Sequence, residues 1–222
     1  MGHFSTGKNH PIEEIRAIYD SKKEEIRLRL HEFEEIWKTG TREEIFAELV
    51  FCILTPQSRG ISCWAASEGM IKSGILFTGN AGQIAKELNK VRFLYKKSEY
   101  IIEARRKFLD DSKVSIKSII NRINDGHEAR EWLVGNVKGI GYKEASHFLR
   151  NIGFEQNLAI LDRHIVRNLK SIGVLKEIPG SLSGRRYLDI EKKMMEFSKV
   201  VQIPMSCLDL VMWYKETGEI FK

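Results

Sequence analysis

Apolar residues recur along this chain three and four positions apart, the spacing of one face of an α-helix, and no convincing run alternates as a half-buried strand does. The stretch PIEEIRAIYDSKKEEIRLRLHEFEEIWKTG (11–40) opens on proline and acids and closes on glycine, which predicts one long helix. TREEIFAELVFCIL (41–54) follows, with Thr41 and Glu44 in capping-box spacing. This helix must stop near TPQS (55–58), because the residue before Pro56 is disfavoured in the α region. The same periodicity predicts helices over 58–72, 80–90, 95–109, 112–123, 129–137, 142–151, 164–171, 186–200 and 205–214. Glycines and prolines fall between these segments, and there is no internal repeat or low-complexity tract. The pattern describes an all-α protein of about ten helices.

One connection stands apart. In VKGIGYK (137–143) two glycines flank an isoleucine between two helical segments. Glycine permits a tight turn and a close approach of backbone to a ligand. Amides at the start of the second helix, backed by the positive end of its dipole, suit a phosphate. A helix, xGIGx and a second helix form the helix-hairpin-helix signature of sequence-independent DNA binding, here over 135–151; an ordinary interhelix turn is the plainer alternative. Lys143, two residues past Gly141, is open to three readings: a surface charge, a phosphate contact or a nucleophile. Nineteen positions on, Asp162 in NLAILDRHIVRNL (157–169) follows an apolar run and precedes an amphipathic helix. That placement makes it a helix N-cap, and such a residue can also serve as a catalytic carboxylate.

Composition narrows the classes. The 222 residues suffice for a sizeable core, and 42% hydrophobic with 30% charged residues is a globular mixture. No run has the length needed to cross a bilayer, and MGHFSTGKNHPIEE (1–14) has no signal-peptide core, so a soluble, cytoplasmic protein is expected. Cys52, Cys63 and Cys207 form no CxxC pair; Cys52 and Cys207 lie in apolar runs and read as buried thiols. The six histidines are scattered, and nothing has metal-ligand spacing. The net charge is +6, and residues 86–122 hold eleven Lys/Arg against five Asp/Glu. Such a block suggests a polyanion partner, with a solvated helical face as the plainer reading.

The stretch GIGYKEASHFLRNIGFEQNLAILDRHIVRNL (139–169) resembles the hairpin-plus-aspartate motif of the base-excision glycosylases related to endonuclease III. In that superfamily the hairpin lysine and the later aspartate form the active pair, matched here by Lys143 and Asp162. The lysine separates bifunctional glycosylase/lyases from monofunctional members. One departure is visible: LAIL stands where the motif has its Gly/Pro portion. Upstream, LVFCILTPQSRGISCWAA (49–66) resembles the segment whose polar side chain enters the duplex where the target nucleotide has left. Gln57 falls on that position, with Ser58 and Arg59 as backbone contacts; a polar turn after Pro56 is the simpler reading. Endonuclease III carries four C-terminal cysteines for an iron–sulfur cluster, whereas this C-terminal region has only Cys207. The ending CLDLVMWYKETGEIFK (207–222) looks instead like the archaeal-type (type 2) 8-oxoguanine DNA glycosylase/AP lyases, which are short, cluster-free and finish in a lysine.

The resemblance implies two helical subdomains flanking a cleft, residues 39–155 with the hairpin and residues 1–38 plus 156–222. It also implies a bifunctional enzyme needing no metal or organic cofactor, acting as a monomer on double-stranded DNA containing 8-oxoguanine. The target nucleotide is flipped out, Gln57 fills the gap, and Lys143 attacks C1′ to form a Schiff base. β-Elimination then cuts the strand 3′ to the lesion. Asp162 stabilises charge at C1′, while the backbone at Gly139 and Gly141 holds a phosphate. For base recognition, Asp209 and Trp213 share a helix face. Trp213 stacks on the purine or belongs to the core, and Lys222 recognises the oxidised base or is an unstructured end. Phe93 is a second stacking partner or a core residue. Two alternatives remain: a glycosylase for another lesion on the same scaffold, and a non-catalytic hairpin module in which Lys143 contacts phosphate and Asp162 only caps.

Overall fold

The structure, a computed structural model, describes residues 9–110 and 115–222. Every regular element among these residues is helical, as the periodicity predicts. In chain order they are α1 (Asn9–Thr39), α2 (Arg42–Leu54), α3 (Gly60–Lys72), α4 (Ile75–Thr78), α5 (Ala81–Glu87) and α6 (Leu94–Arg105). A π-helical turn, Arg106–Asp110, extends α6. Then come α7 (Ile116–Ile123), α8 (Gly126–Asn136), α9 (Tyr142–Asn151), α10 (Arg163–Ser171), α11 (Gly184–Val201) and α12 (Met205–Thr217). No helix among the described residues is long and apolar enough to cross a membrane.

The ends of the helices follow their caps. Thr41 and Glu44 form the expected reciprocal box: Thr41 Oγ1 accepts the Glu44 amide at 3.1 Å and Thr41 N donates to Glu44 Oε2 at 2.8 Å. Helix α8 begins three residues earlier than its apolar pattern, because Asp125 accepts the Glu128 amide at 2.8 Å. Helix α7 is capped by Ser115, and residues 112–114 of the segment expected there lie outside the described residues. Helix α2 ends at Leu54 as expected, but not for the expected reason. Thr55, the residue before Pro56, is itself in the α region (φ −69°, ψ −29°), and the chain breaks at Gln57, where φ is +55°.

The chain divides into two compact units, residues 1–33 with 155–222, and residues 34–154. In the 34–154 unit α2 is the central helix. Ile45 to Leu54 are buried without interruption, so α2 is covered all round by neighbours that include α3, α6, α7 and α9. The last turn of α1 packs in this unit, where Trp37 meets Phe154 edge-on at 4.9 Å. Buried Glu48 accepts from Asn151 Nδ2 at 3.2 Å, and Asn151 Oδ1 accepts from Arg150 Nε at 3.1 Å, which pins α9 against α2. In the other unit α12 packs on α10 and α11. Its buried residues are Met205 and the unbroken run from Cys207 to Met212.

Candidate active site

The hairpin Val137–Gly141 joins α8 to α9. Gly139 has φ +82°, and a Cβ there would sit 2.6 Å from Tyr100 Cδ2, so both backbone angle and space require glycine. The two helices are clamped from inside the unit. Arg130, fully buried on α8, donates to Ser146 Oγ on α9 at 3.2 Å and lies 5.4 Å from the Tyr142 ring. The Tyr142 hydroxyl donates to Glu131 at 2.7 Å, which raises its pKa. Gly141 was expected to offer its amide to a phosphate. That amide instead donates to Glu144 Oε2 at 3.1 Å, one turn into α9. The Gly139 and Lys143 amides have no hydrogen-bond partner among the described residues.

Lys143, in the first turn of α9, leads to the most concentrated polar group of this unit. Its side chain is 21% exposed; Nζ donates to Thr55 Oγ1 at 2.9 Å and pairs with Glu144 Oε1 at 3.1 Å. Thr55 in turn donates its hydroxyl proton to the Cys52 carbonyl at 3.0 Å, which leaves its lone pairs facing the lysine. A second lysine reaches the same segment, residues 54–58. Lys97 of α6 is buried, and Nζ donates to the carbonyls of Leu54 at 2.7 Å and Pro56 at 2.8 Å and to Ser58 Oγ at 3.1 Å. Burial holds the Lys97 pKa below its ordinary value, and the positive charge of Lys143 adds to the effect. Cys63 donates to the Leu54 carbonyl at 3.1 Å, and burial pushes this thiol up to about 11. Thr55 and Lys97 carry no motif signal in the sequence. Glu144 alone was open to prediction, as the residue three past Gly141 in capping-box spacing.

The turn after α2 carries Gln57, exposed, in the left-handed region, and with no hydrogen bond to any described residue. Arg59 is exposed and unpaired among the described residues. The Ser58 hydroxyl is engaged inside the turn, accepting from the Arg92 amide at 3.1 Å as well as from Lys97. Phe93, the next residue, is also left-handed (φ +59°) and 54% exposed. The core role is therefore not borne out: more than half of the residue's surface is open, at the turn that precedes α6.

In the 1–33 and 155–222 unit, Asp162 is the N-cap of α10. Its Oδ1 accepts the amides of His164 and Ile165, both at 2.8 Å, while Oδ2 has no partner among the described residues. The preceding segment Leu158–Leu161 is buried and non-helical, and α11 fixes it. Tyr187 donates its hydroxyl to the Ala159 carbonyl and accepts the Leu161 amide at 3.2 Å, and Glu191 accepts the Ala159 amide at 2.7 Å. Tyr187 and Glu191 are one helical turn apart, and no motif marks either residue. His164 then meets Trp213 of α12 edge-on at 5.3 Å, and its Nδ1 lies 3.3 Å from Glu216 Oε2. Trp213 is half-buried, so it is neither core nor fully exposed. Asp209, one turn earlier on α12, is buried, and Lys222 is half-buried rather than an unstructured end.

The basic block between 86 and 122 is less available than its composition suggests. Besides Lys97, Arg105 donates to the Leu76 carbonyl at 3.2 Å and Lys107 to the Asn136 carbonyl, at the end of α8, at 2.9 Å. Lys117 lies 5.4 Å from the Trp37 ring, and Lys113 is outside the described residues. No group of three or more His, Cys, Asp and Glu among the described residues is placed to hold a metal ion.

An all-helical chain built around such a hairpin is a helix-hairpin-helix protein. The sequence profile of the family described as 8-oxoguanine DNA glycosylase matches residues 26–203. A protein of Fusobacterium nucleatum named 8-oxoguanine DNA glycosylase/AP lyase is 46% identical over 97% of this chain and 99% of its own length. The crystal structure of the Methanocaldococcus jannaschii 8-oxoguanine glycosylase/lyase, in complex with a 15mer DNA containing 8-oxoguanine, superposes with a TM-score of 0.86 at 38% identity. That match covers 95% of this chain and 99% of that one. The 8-oxoguanine DNA glycosylase of Thermotoga maritima superposes with a TM-score of 0.84 at 33% identity, over 95% and 98% of the two chains. The chain belongs to the 8-oxoguanine DNA glycosylase family.

Proposed function

We infer that this chain excises 8-oxoguanine from duplex DNA and then cleaves the strand as an AP lyase, inside the cell and with no cofactor. The observation that carries the chemistry is the Lys143 amine at the mouth of the hairpin helix, partly exposed and held between Thr55 Oγ1 and Glu144 Oε1. Only the neutral amine attacks, so a proton must leave Nζ, and the Glu144 carboxylate at 3.1 Å is within reach to take it. The Nζ lone pair forms a bond to C1′ as the glycosidic bond breaks, and the base departs with the electron pair of the broken bond, neutralised by the proton taken from Nζ. Ring opening gives a Schiff base. Loss of a C2′ proton then expels the 3′ phosphate by β-elimination.

Asp162 is suited to the developing positive charge at C1′, since its cap role uses Oδ1 and leaves Oδ2 open. Gln57 fills the place of the extruded nucleotide, with Arg59 on the backbone and the Gly139 amide on a phosphate. The Ser58 hydroxyl shapes the turn rather than reaching DNA. Trp213 stacks on the extruded purine, with Asp209 and Lys222 reading its edges, and Phe93 is a further stacking surface at the Gln57 turn.

Borohydride trapping on duplex DNA containing 8-oxoguanine tests the reading. A covalent adduct is expected, lost in Lys143→Gln while DNA binding is retained. Absence of an adduct on both this duplex and an abasic duplex would overturn the lyase chemistry and leave a non-catalytic hairpin module.

A further inference from the structure

Lys97 belongs to none of the motifs by which the chain is recognised, yet it makes three hydrogen bonds in a place where a buried cation is costly. Its acceptors alternate along the chain: Leu54 O, Pro56 O and Ser58 Oγ, at 2.7, 2.8 and 3.1 Å. The residues between them are Thr55, which holds Lys143, and Gln57. Three acceptors around one nitrogen use all three N–H bonds of an ammonium, and a neutral amine would leave one of them unserved. The carbonyls of Leu54 and Pro56 close α2 and the turn beyond it, where a positive charge is favoured. Within the turn Ser58 N donates to Thr55 O at 3.0 Å and Ser58 Oγ lies 3.4 Å from Pro56 O, Cys63 of α3 donates to Leu54 O at 3.1 Å, and Gln57 itself makes no hydrogen bond among the described residues. Yet Gln57 keeps a positive φ of 55°, a conformation that persists only where its surroundings impose it. The same Ser58 hydroxyl accepts the Arg92 amide, so the left-handed turn at Phe93 is tied to the one at Gln57.

We propose that Lys97 is the positioning residue of the gap-filling turn, a buried ammonium that holds Gln57 in its strained, outward conformation before DNA arrives. A pre-formed turn avoids ordering Gln57 at the moment of nucleotide extrusion, which lowers the barrier to opening a duplex. The inference rests on the glycosylase reading above. It predicts that losing Lys97 slows the reaction more where a base stack must be opened than where there is none.

Trapping and cleavage are measured on one abasic oligonucleotide, single-stranded and in duplex, and the ratio of duplex to single-strand rates is compared across variants. In Lys97→Met, which keeps the length of the side chain and removes its donors, the ratio is expected to fall about tenfold; an effect on Lys143 through Thr55 acts on both forms of the substrate and cancels in the ratio. Gln57→Ala is expected to lower the same ratio, and Lys97→Met added to it to lower it no further. An unchanged ratio in Lys97→Met, or additive losses in the double variant, overturns the proposal. If Lys97→Met does not fold, Lys97→Arg carries the test: its planar fork cannot serve all three acceptors, so a threefold or greater fall supports the proposal and no fall overturns it. Failure of the unmutated chain to trap either form overturns the glycosylase reading instead.

Discussion

Two side chains change meaning once their partners are visible. Lys143 was legible as a lysine beside a glycine hairpin, but what holds its amine is Thr55, 88 residues earlier, and Glu144, its neighbour. Asp162 was legible as a cap, and the structure adds that the cap consumes only one of its two oxygens. The two roles are therefore separable. Asparagine caps a helix as well as aspartate does, so Asp162→Asn is expected to keep its melting temperature and DNA affinity while cleavage slows about a hundredfold or more. Asp162→Ala loses the cap as well, at about 1 kcal/mol of stability in denaturant unfolding. Single-turnover cleavage beside the two unfolding curves checks both. A near-native rate in Asp162→Asn reduces the residue to a cap.

Among the elements, the hairpin is the one whose geometry the chain specifies twice. Gly139 is required by its positive φ and again by Tyr100, which leaves no room for a Cβ. Gly139→Ala is therefore expected to destabilise the chain by about 1–3 kcal/mol and to weaken binding to undamaged duplex. Gly135, at the end of α8 and with nothing within 4 Å of its Cβ position, is the control: Gly135→Ala is expected to leave both unchanged or slightly improved. Thermal melts and anisotropy titrations with both variants decide it. The buried strip Leu158–Leu161 is the element that motif reading described least. Its LAIL sequence replaces the Gly/Pro turn of the wider superfamily, and Tyr187 and Glu191 supply partners for its backbone.

Over the whole molecule the net charge of +6 says less than where each cation points. Of the block that suggested a polyanion partner, Lys97, Arg105 and Lys107 hold backbone carbonyls of other segments. Such charges contribute little to counterion release, which follows contacts to phosphate. Arg59→Ala is thus expected to reduce the slope of log affinity against log salt by about 1, whereas Arg105→Ala leaves the slope unchanged and lowers stability instead. Affinities measured from low to moderate salt separate the two. Equal slope changes would mean that the internal contact of Arg105 opens on binding.

The amino-acid sequence by itself determined the helical class, the hairpin, the lysine and aspartate, and the caps at Thr41 and Asp162. These are local: periodicity, glycine backbone freedom and capping each act within a few residues and leave a spaced signature. It also pointed to Gln57, though not to the reason Gln57 stands out, since a left-handed glutamine has no pattern. Only the tertiary structure decided which cations are internal, that Phe93 is exposed, and that Lys97 and Lys143 both reach the turn after α2. The physical reason is that hydrogen bonds between α2, α6 and α9 join residues some 40 to 90 positions apart. Composition counts such charges alike, whether they face solvent or close the end of another helix.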